Sequence, residues 1–376
     1  MTTRREAIGW IGAVTSAMVL RPAFAETGFG AGRYGRAMVI DALGGVGDPD
    51  PSAPEDAPLT AAALADVKAS GVTAINLTVN LVGNGPDRFE RAVKGIALME
   101  REIEAHPDVL LRVRTGRDLA LAKQTRRLGI IYGFQDTTML EGDLGRLALF
   151  HDLGLRICQP TYNRRNLIGD GCMEAADGGL SRLGYEFVAE VNRLGVLLDL
   201  SHAGRRTIVD GIAVSKGPVA ITHTGCRALA DLPRNTSDES LKALADKGGV
   251  AGIFFMPFLR VSGQPHAEDL VRHLEHAVNV CGEDHVGLGT DGSITGVALT
   301  DAFKAAFRQQ VEDRRKAGIS APGESPDVYT LIPEYNDPRR FLALADDLAR
   351  RGWSAARIEK VLGGNFARLF AAVWRA

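Results

Sequence analysis

The sequence predicts an α/β protein folded as a TIM (β/α)8 barrel, and three observations lead to this prediction. Short apolar runs of strand length alternate along the chain with amphipathic segments of helical pattern. Most of these runs are continuously apolar, which is typical of parallel strands covered on both faces. There are eight such units and no G-x-G-x-x-G after the first run, so a barrel is favoured over a doubly wound sheet.

The strands are predicted from the apolar runs, in chain order. They cover residues 37–43, 72–79, 129–135, 156–162, 196–202, 219–225, 250–256 and 285–291. A further run at 109–114 is either an extra strand or a strand-like connection. Helical segments such as LTAAALADVKAS, LGYEFVAEVNRL and DESLKALADKG lie between the runs, and a glycine closely follows each, as at a helix C-cap. Two more helical segments, SAARIEKVLG and FARLFAAVWR, close the chain.

Length and composition limit the class of protein. The chain has 376 residues, of which 45% are hydrophobic and 24% charged, so it has enough apolar residues for a sizeable core. The formal net charge is −2, which gives no electrostatic reason to expect nucleic acid or an acidic membrane surface as a partner. We therefore expect a globular protein whose partner is a small molecule.

The first residues have the pattern of an export signal. Arg4-Arg5 precede an apolar stretch and then the tripeptide AFA, which ends at Ala25. This is the order of a secretory signal, and the arginine pair resembles a twin-arginine signal. We predict a cleaved signal peptide over residues 1–25 and a periplasmic mature protein with no stable membrane insertion. An ordinary signal peptide and an uncleaved anchor are the alternatives.

The remainder of the chain, residues 26–376, is predicted to form a single barrel domain. The stretch 292–339 is long and irregular and contains one charged helical segment, DAFKAAFRQQVEDRRKAG. Such a stretch predicts an excursion over the barrel mouth that can act as a lid.

Four cysteines are present, and none forms a C-x-x-C pair, so there is no zinc-ribbon pattern. Cys172 and Cys226 fall in loops that we place on one face of the barrel. An oxidising compartment permits a disulfide between them. Buried free thiols are the alternative.

Polar side chains lie at the predicted carboxyl ends of the strands, where TIM barrels build their active sites. His202 and His223 each end a strand, and Asp291 ends a third. Neutral imidazoles are good zinc ligands, and a nearby carboxylate can take a proton from a bound water. The pattern predicts a metal or acid–base site. Hydrogen-bonded packing of the histidines and a turn role for Asp291 are the alternatives.

Several longer motifs resemble those of the membrane dipeptidases, also called renal dipeptidase-like proteins or peptidase family M19. They are GVLLDLSH, PVAITHTGCRAL, LPRNTSDESLKALADKGGVAGIFF, HVGLGTDG and LGGNFARLF, in that order. The resemblance runs from about Met38 to the C-terminus and is strongest from Gly179 to Gly292. It implies an amidohydrolase-like TIM barrel that carries two zinc ions, cleaves dipeptides including dehydropeptides, and forms a homodimer.

The resemblance also implies roles for individual residues. His202 and His223 match two histidine ligands of one zinc, and Asp291 matches the aspartate that handles the proton of the attacking water. Arg234, in LPRN, matches the arginine that pairs with the substrate carboxylate, a task that suits a guanidinium. Tyr162 stands where many members have a histidine that stabilises the oxyanion, and a phenol can also donate a hydrogen bond there.

The chain departs from the family at the other zinc. The first strand of the family ends in His-x-Asp, and here Leu43 and Gly45 stand at those positions. Gln135 aligns with the glutamate that bridges the two metals, and Asp136 can replace it only if the loop shifts by one residue. Two neighbouring divalent cations need anionic bridging to offset their repulsion. We therefore expect at most one zinc, held by the two histidines and an oxygen of Gln135 or Asp136.

The loop YNRRNLIGDG, at residues 162–171, is predicted to hold a polar or anionic ligand through Arg164 and Asn166. A solvated, turn-rich loop is the alternative.

The sequence predicts a metallodipeptidase-like hydrolase that acts on a dipeptide or a peptide-like small molecule with a free carboxylate. Two other functions stay open at this point. One is an enzyme of the same scaffold with non-peptidase chemistry on a secreted metabolite, since fold alone does not fix the reaction. The other is a periplasmic binding protein without catalysis.

Overall fold

The inner layer is a ring of short parallel strands, in a computed structural model that describes residues 28–54, 56–83 and 85–374. The predicted signal peptide over residues 1–25 lies outside these ranges. The strands are β1 (Ile40–Gly44), β2 (Ala74–Thr78), β3 (Leu110–Arg112), β4 (Leu128–Phe134), β5 (Leu155–Cys158), β6 (Leu197–Leu198), β7 (Ala220–Thr224), β8 (Val250–Ile253) and β9 (Val286–Leu288).

Helices follow most strands and form the outer layer. In chain order they are α1 (Ala31–Arg36), α2 (Ala61–Ser70), α3 (Arg88–Ala105), α4 (Gly116–Thr125), α5 (Gly145–Leu153), α6 (Arg182–Leu194), α7 (Arg205–Val214), α8 (Asp238–Asp246), α9 (Ala267–Cys281), α10 (Asp301–Lys316), α11 (Arg340–Arg350), α12 (Ala355–Glu359) and α13 (Asn365–Val373). Gly71 and Gly195 end α2 and α6 in the left-handed conformation, as the glycine pattern predicts. None of the helices in the described ranges has the length and apolar character that a membrane crossing requires.

The strand order confirms the TIM-barrel prediction. One parallel ladder runs β1-β2-β4-β5-β6, and a second runs β7-β8-β9. The ladders join through two isolated parallel bridges, Asp199 with Ala220 and Gly45 with Ser293, which close the ring. Each of the eight predicted runs overlaps a ring strand, and the run at 109–114 contains β3, which pairs with the first residues of β4.

β5 and β6 end four residues before the predicted strand ends. Backbone pairing continues past these ends, since the Gln159 N–H donates to the Phe134 carbonyl at 2.9 Å and the Leu200 N–H donates to the Ala220 carbonyl at 2.8 Å. The chain turns at Asn163 and His202, whose φ angles are 50° and 62°. The apolar pattern cannot reveal the turn at His202, because both of its neighbours remain buried.

A buried carboxylate joins the first and last ring strands. Asp41 on β1 accepts hydrogen bonds from the Thr290 backbone N–H at 2.7 Å and from the Thr290 hydroxyl at 2.6 Å. The Asp291 N–H donates to the Leu43 carbonyl at 2.8 Å beside them. Burial raises the pKa of Asp41 to about 7, and the bonds from Thr290 act in the opposite direction.

The amino end of the barrel is filled by the C-terminal helix. Phe366, Leu369 and Phe370 of α13 belong to one buried apolar cluster with the first residues of several strands. The strand members at that end include Ile40, Ala74, Ala220 and Val250. This packing leaves the carboxyl ends of the strands as the open face, which is where TIM barrels place their sites.

All four cysteines are free thiols, so the disulfide considered between Cys172 and Cys226 is not formed. The Cys226 backbone N–H donates to His273 Nδ1 on α9 at 2.8 Å, and the Cys172 thiol donates to Asn163 Oδ1 at 3.3 Å. The two thiols therefore pack against different partners.

The buried Asp41 carboxylate predicts a specific pH dependence of the free energy of unfolding. The pKa of Asp41 is about 7 in the folded state, against an ordinary 3.8. Between these pH values the folded protein keeps a proton that the unfolded chain has released. The free energy of unfolding therefore falls as the pH rises through this window. Asp41→Asn abolishes this titration. Its unfolding free energy, relative to the parent, should improve by on the order of 2 kcal/mol between pH 5 and pH 8.

Urea unfolding at the two pH values measures this difference. Asp301→Asn, at a fully exposed side chain beside Lys304, is the matched control and should show a constant difference. An equally constant difference for Asp41→Asn would contradict the assignment.

Candidate functional site

Two histidines meet at the carboxyl ends of β6 and β7. His202 follows β6 and is 5% exposed, and His223 lies on β7 and is fully buried. Their ring centroids are 4.9 Å apart. The structure thus brings together the two imidazoles that the sequence predicts as a pair.

Asn163 fixes the tautomer of His202. The Asn163 amide nitrogen donates to the Ile319 carbonyl at 2.8 Å, which orients its oxygen Oδ1 toward His202. Nδ1 of His202 lies 2.6 Å from that oxygen, and because an amide oxygen only accepts, Nδ1 must carry the proton. Nε2 of His202 therefore holds an unprotonated lone pair.

A carboxylate and a hydroxyl fix the tautomer of His223. The Thr222 hydroxyl donates its proton to Asp199 Oδ2 at 2.6 Å. His223 Nδ1 lies 2.9 Å from the same hydroxyl oxygen, which has no proton left for the ring, so Nδ1 donates. Nε2 of His223 therefore also holds a lone pair. Further hydrogen bonds to Asp199 from Gln159 and Ser201 hold the carboxylate in place.

The two Nε2 atoms are buried and have no hydrogen-bond partner among the described residues. Burial and the nearby guanidinium of Arg234 hold the pKa of both His202 and His223 well below the ordinary value, so both rings are neutral. Neutral imidazoles whose other nitrogen is hydrogen-bonded are the usual form in which histidine binds zinc. The pair therefore supplies two of the ligands that one cation of this type needs.

The residues around the pair offer less than the family pattern requires. No group of three or more His, Cys, Asp or Glu side chains in the described ranges is arranged to hold a metal ion. Leu43 is buried and apolar, and Gly45 has no side chain. This donor set does not fit the second zinc of the family.

The structure gives Asp136 other partners, whereas the prediction that an oxygen of Gln135 completes the metal shell stays a prediction. The Gln135 amide donates to the Thr78 hydroxyl at 2.8 Å. Both Asp136 oxygens accept hydrogen bonds from loops, one at 2.6 Å from the Gly83 N–H in the loop after β2 and one at 2.9 Å from the Thr138 hydroxyl in its own loop. Asp136 is thus a buried loop brace and does not join the histidines in a metal-binding group.

A cavity of about 270 Å³ opens beside His202, and Tyr162 and Asp291 also line it. The Tyr162 ring stacks on His202 with centroids 4.1 Å apart, and its hydroxyl oxygen accepts from Arg314 at 3.1 Å. The phenolic proton is left free to donate elsewhere. Burial raises the pKa of Tyr162, which keeps that proton in place.

Asp291 is the carboxylate of this cavity. Burial raises its pKa to about 6, and the guanidiniums of Arg234 and Arg314 act in the opposite direction. Its φ angle is 57°, so it shares the left-handed conformation of Asn163 and His202. Strained backbone of this kind at three residues of one site is typical of functional positions.

Arg234 is a nearly buried cation with free donors. It is 3% exposed, and its Nε and Nη2 have no hydrogen-bond partner in the part of the chain that the structure describes. Its Cζ atom lies 5.8 Å from the ring centroids of both Phe254 and Phe258, which hold the guanidinium. A buried, unpaired guanidinium lining the cavity is suited to a ligand carboxylate.

The predicted excursion supplies the outer wall of the cavity through α10 and the segment after it. Arg314 donates from Nε and Nη2 to Glu324 at 2.8 and 2.9 Å and also contacts Tyr162. The sequence analysis did not predict three contributions to the site. These are Arg314 on the cavity wall, Asn163 as the partner of His202, and Thr222 as the partner of His223. The only signal for Thr222 is its place before the histidine in AITH, and nothing distinguishes Arg314 among the charges of its helix.

Arg164 and Asn166, predicted to bind a ligand, do not line this cavity. Arg164 is exposed and donates to the Gly318 carbonyl at 3.0 Å. The Asn166 amide donates to the Pro160 carbonyl and accepts from Ile168, so it braces its own loop. The alternative of a turn-rich structural loop describes these two residues better.

Comparisons with known proteins agree with the fold and with the family that the sequence resembles. The family model described as membrane dipeptidase (peptidase family M19) matches residues 55–305. An amidohydrolase structure from Pseudomonas aeruginosa is 33% identical, with a TM-score of 0.77, over 91% of this chain and 98% of that one.

Two curated relatives also match. An uncharacterized protein in the pqqA 5′ region of Klebsiella pneumoniae is 27% identical over 73% of this chain and 93% of its own length. Dipeptidase verJ of Clonostachys rogersoniana is 29% identical over 62% of this chain, and the match spans 61% of that relative.

The hydrogen bond from His223 to Thr222 predicts a change in metal affinity. Thr222→Val removes the acceptor of the Nδ1 proton, so the ring is no longer held with Nε2 unprotonated toward the cavity. Zinc affinity should fall about 10–100-fold, the usual effect of losing such a partner. Titration calorimetry with zinc measures the affinity, and ¹⁵N NMR of the imidazole reports the tautomer.

Thr222→Ser keeps the hydroxyl and is the control, with near-parental affinity expected. Equal zinc binding by the valine and serine variants would refute the role of the hydroxyl.

Proposed function

The chain belongs to the membrane dipeptidase family, peptidase family M19, whose members are metal-dependent hydrolases. From this premise we propose that it hydrolyses an amide bond in a dipeptide or a peptide-like small molecule with a free carboxylate, using a single zinc ion. One observation carries the proposal. Two neighbouring buried imidazoles have lone pairs without a partner among the described residues, and one of them, His202, lines a cavity with a buried guanidinium that has free donors.

His202 and His223 would hold the ion through their Nε2 atoms. When bound, zinc supplies Lewis-acid chemistry and lowers the pKa of a bound water. The proposal limits the site to one ion, because Leu43 and Gly45 supply no ligand and both Asp136 oxygens accept hydrogen bonds from loop residues. Positive charge from Arg234 and Arg314 near the site further opposes a second divalent cation.

The remaining side chains of the cavity supply the other functions that amide hydrolysis needs. Asp291, whose pKa is about 6, is mostly ionised at neutral pH and can accept a proton from the attacking water and return it to the leaving amine. Tyr162 keeps a phenolic proton that can stabilise the developing oxyanion. Arg234 binds and orients the substrate carboxylate through its free Nε and Nη2 donors.

The sparse ligand set favours one second candidate function. With no third His, Cys, Asp or Glu beside the pair in the described ranges, the same scaffold can bind a carboxylate ligand without cleaving a peptide bond. Non-peptidase chemistry on a secreted metabolite and binding without turnover both belong to this alternative. The absence of dipeptide hydrolysis by zinc-loaded protein would favour it.

The location of the protein is also part of the proposal. The Arg4-Arg5 pair, the apolar stretch and the AFA tripeptide support export by the twin-arginine route and cleavage near Ala25. Export of a folded chain suits a protein that takes its metal before secretion. A homodimer in the periplasm is proposed from the family resemblance.

The catalytic proposal predicts the effect of two substitutions on zinc-reconstituted protein. Asp291→Asn removes the proton acceptor and should lower kcat/KM for dipeptides by about 10²-fold or more. His223→Ala should abolish both zinc binding and turnover. Metal analysis and a dipeptide hydrolysis assay measure these outcomes.

His276 pairs with Asp238 on the outer helices, so His276→Ala is the matched control and should retain activity. Dipeptide hydrolysis that survives either site substitution would count against these roles.

The carboxylate anchor predicts a separate effect on binding. Arg234→Leu should raise KM or Kd for a dipeptide about 10–100-fold, because it removes a charge-assisted hydrogen bond. Arg164→Leu, at an exposed arginine outside the cavity, should leave both constants unchanged. The opposite ranking of the two arginines would show that the carboxylate binds on the loop.

A further inference from the structure

The cavity has a second wall that the proposed chemistry does not use. Its members are apolar and come from the segment after β8 and from the predicted lid. They are Met256, Pro257, Phe258, Phe307, Val311 and Val328. The polar residues His202, Asp291 and Arg234 line the rest of the same cavity.

Packing within the lid holds this wall in place. Phe303, Phe307 and Val311 of α10 form a small buried cluster of their own, with Tyr329 packed against it. The Phe307 and Tyr329 rings lie 5.3 Å apart, and the Phe307 and Phe303 rings stack at 6.0 Å. The wall is therefore a preformed apolar surface of the kind that lines small-molecule sites.

The wall adjoins the carboxylate anchor. Phe258 belongs to the wall, and its ring centroid lies 5.8 Å from the Arg234 Cζ atom. A ligand whose carboxylate binds Arg234 thus has its Cα next to the apolar residues. The side chain on that same Cα is the part of the ligand closest to the wall.

Charge at the cavity favours an apolar side chain at this position. Arg314 and Glu324 are the charged groups that the lid contributes, and they bind each other through two hydrogen bonds. A charged or amide side chain against the six apolar residues of the wall would lose its water without gaining a partner from them. An apolar side chain would gain by leaving water.

We propose that this wall is a subsite for the side chain of the ligand residue that carries the free carboxylate. The protein accordingly selects dipeptide-like ligands whose C-terminal residue is apolar and larger than alanine. The choice of dipeptides as ligands rests on the proposed function, while the position of the subsite follows from the wall and Arg234.

Three dipeptides separate side-chain position from composition. Titration calorimetry of the metal-free mature chain with Gly-Leu, Leu-Gly and Gly-Gly measures binding without turnover. Gly-Leu should bind at least about tenfold more tightly than the other two, as expected for an aliphatic side chain in an apolar pocket. Equal affinities, preference for Leu-Gly, or no binding of any dipeptide would overturn the proposal.

Changes in the size of the subsite supply the second arm of the test. Val328→Phe fills the wall at a half-buried position and should remove the preference for Gly-Leu over Gly-Gly. Val311→Ala enlarges it and should strengthen Gly-Phe binding relative to Gly-Leu. Gln310→Ala, at an exposed residue on the cavity rim, should change neither ratio.

A merely structural role for these valines would weaken all dipeptides alike and would overturn the assignment. Gly-Leu preference without hydrolysis by zinc-loaded protein would refute the proposed function and leave the subsite intact.

Discussion

The site depends on one constraint, which is that two neighbouring imidazoles and a guanidinium are buried with nitrogens that have no hydrogen-bond partner among the described residues. His202 and the Arg234 guanidinium line one cavity. Burying such groups unpaired is costly, and a protein keeps them where a ligand completes their bonds. Asn163 and the Thr222–Asp199 pair direct both lone pairs by accepting the Nδ1 protons. The hydrogen bonds at Nδ1 of each ring therefore decide which nitrogen, Nε2, is left to bind a ligand.

The barrel supplies the rigidity that this arrangement needs. Asp41 and Thr290 tie the first ring strand to the last, and α13 fills the opposite end with aromatic side chains. Because the amino end is packed, the polar groups lie at the carboxyl ends of the strands. Asn163 and His202 then leave their strands in the left-handed conformation, and that strain is supported by the surrounding network.

The fold and the core of the site were predictable from the sequence, for physical reasons. Continuously apolar runs report burial on both faces, so all eight ring strands were located, and polar residues at their ends marked His202, His223 and Asp291. Loop geometry was not predictable. Asp136, Arg164 and Asn166 have the composition of ligand-binding residues, but they hydrogen-bond to backbone groups of loops, two of them distant in the chain. Only coordinates distinguish these uses. The role of Arg314 depends on how the lid packs, which no local pattern encodes.

The central claim is that the two histidines hold a single metal ion in a site reduced from two. Anomalous diffraction at the zinc edge, from crystals of the mature protein grown with excess zinc, tests this claim most directly. The account predicts one peak in the barrel mouth, bonded to Nε2 of both His202 and His223. Two peaks bridged by Asp136, or a peak that contacts neither imidazole, would contradict it.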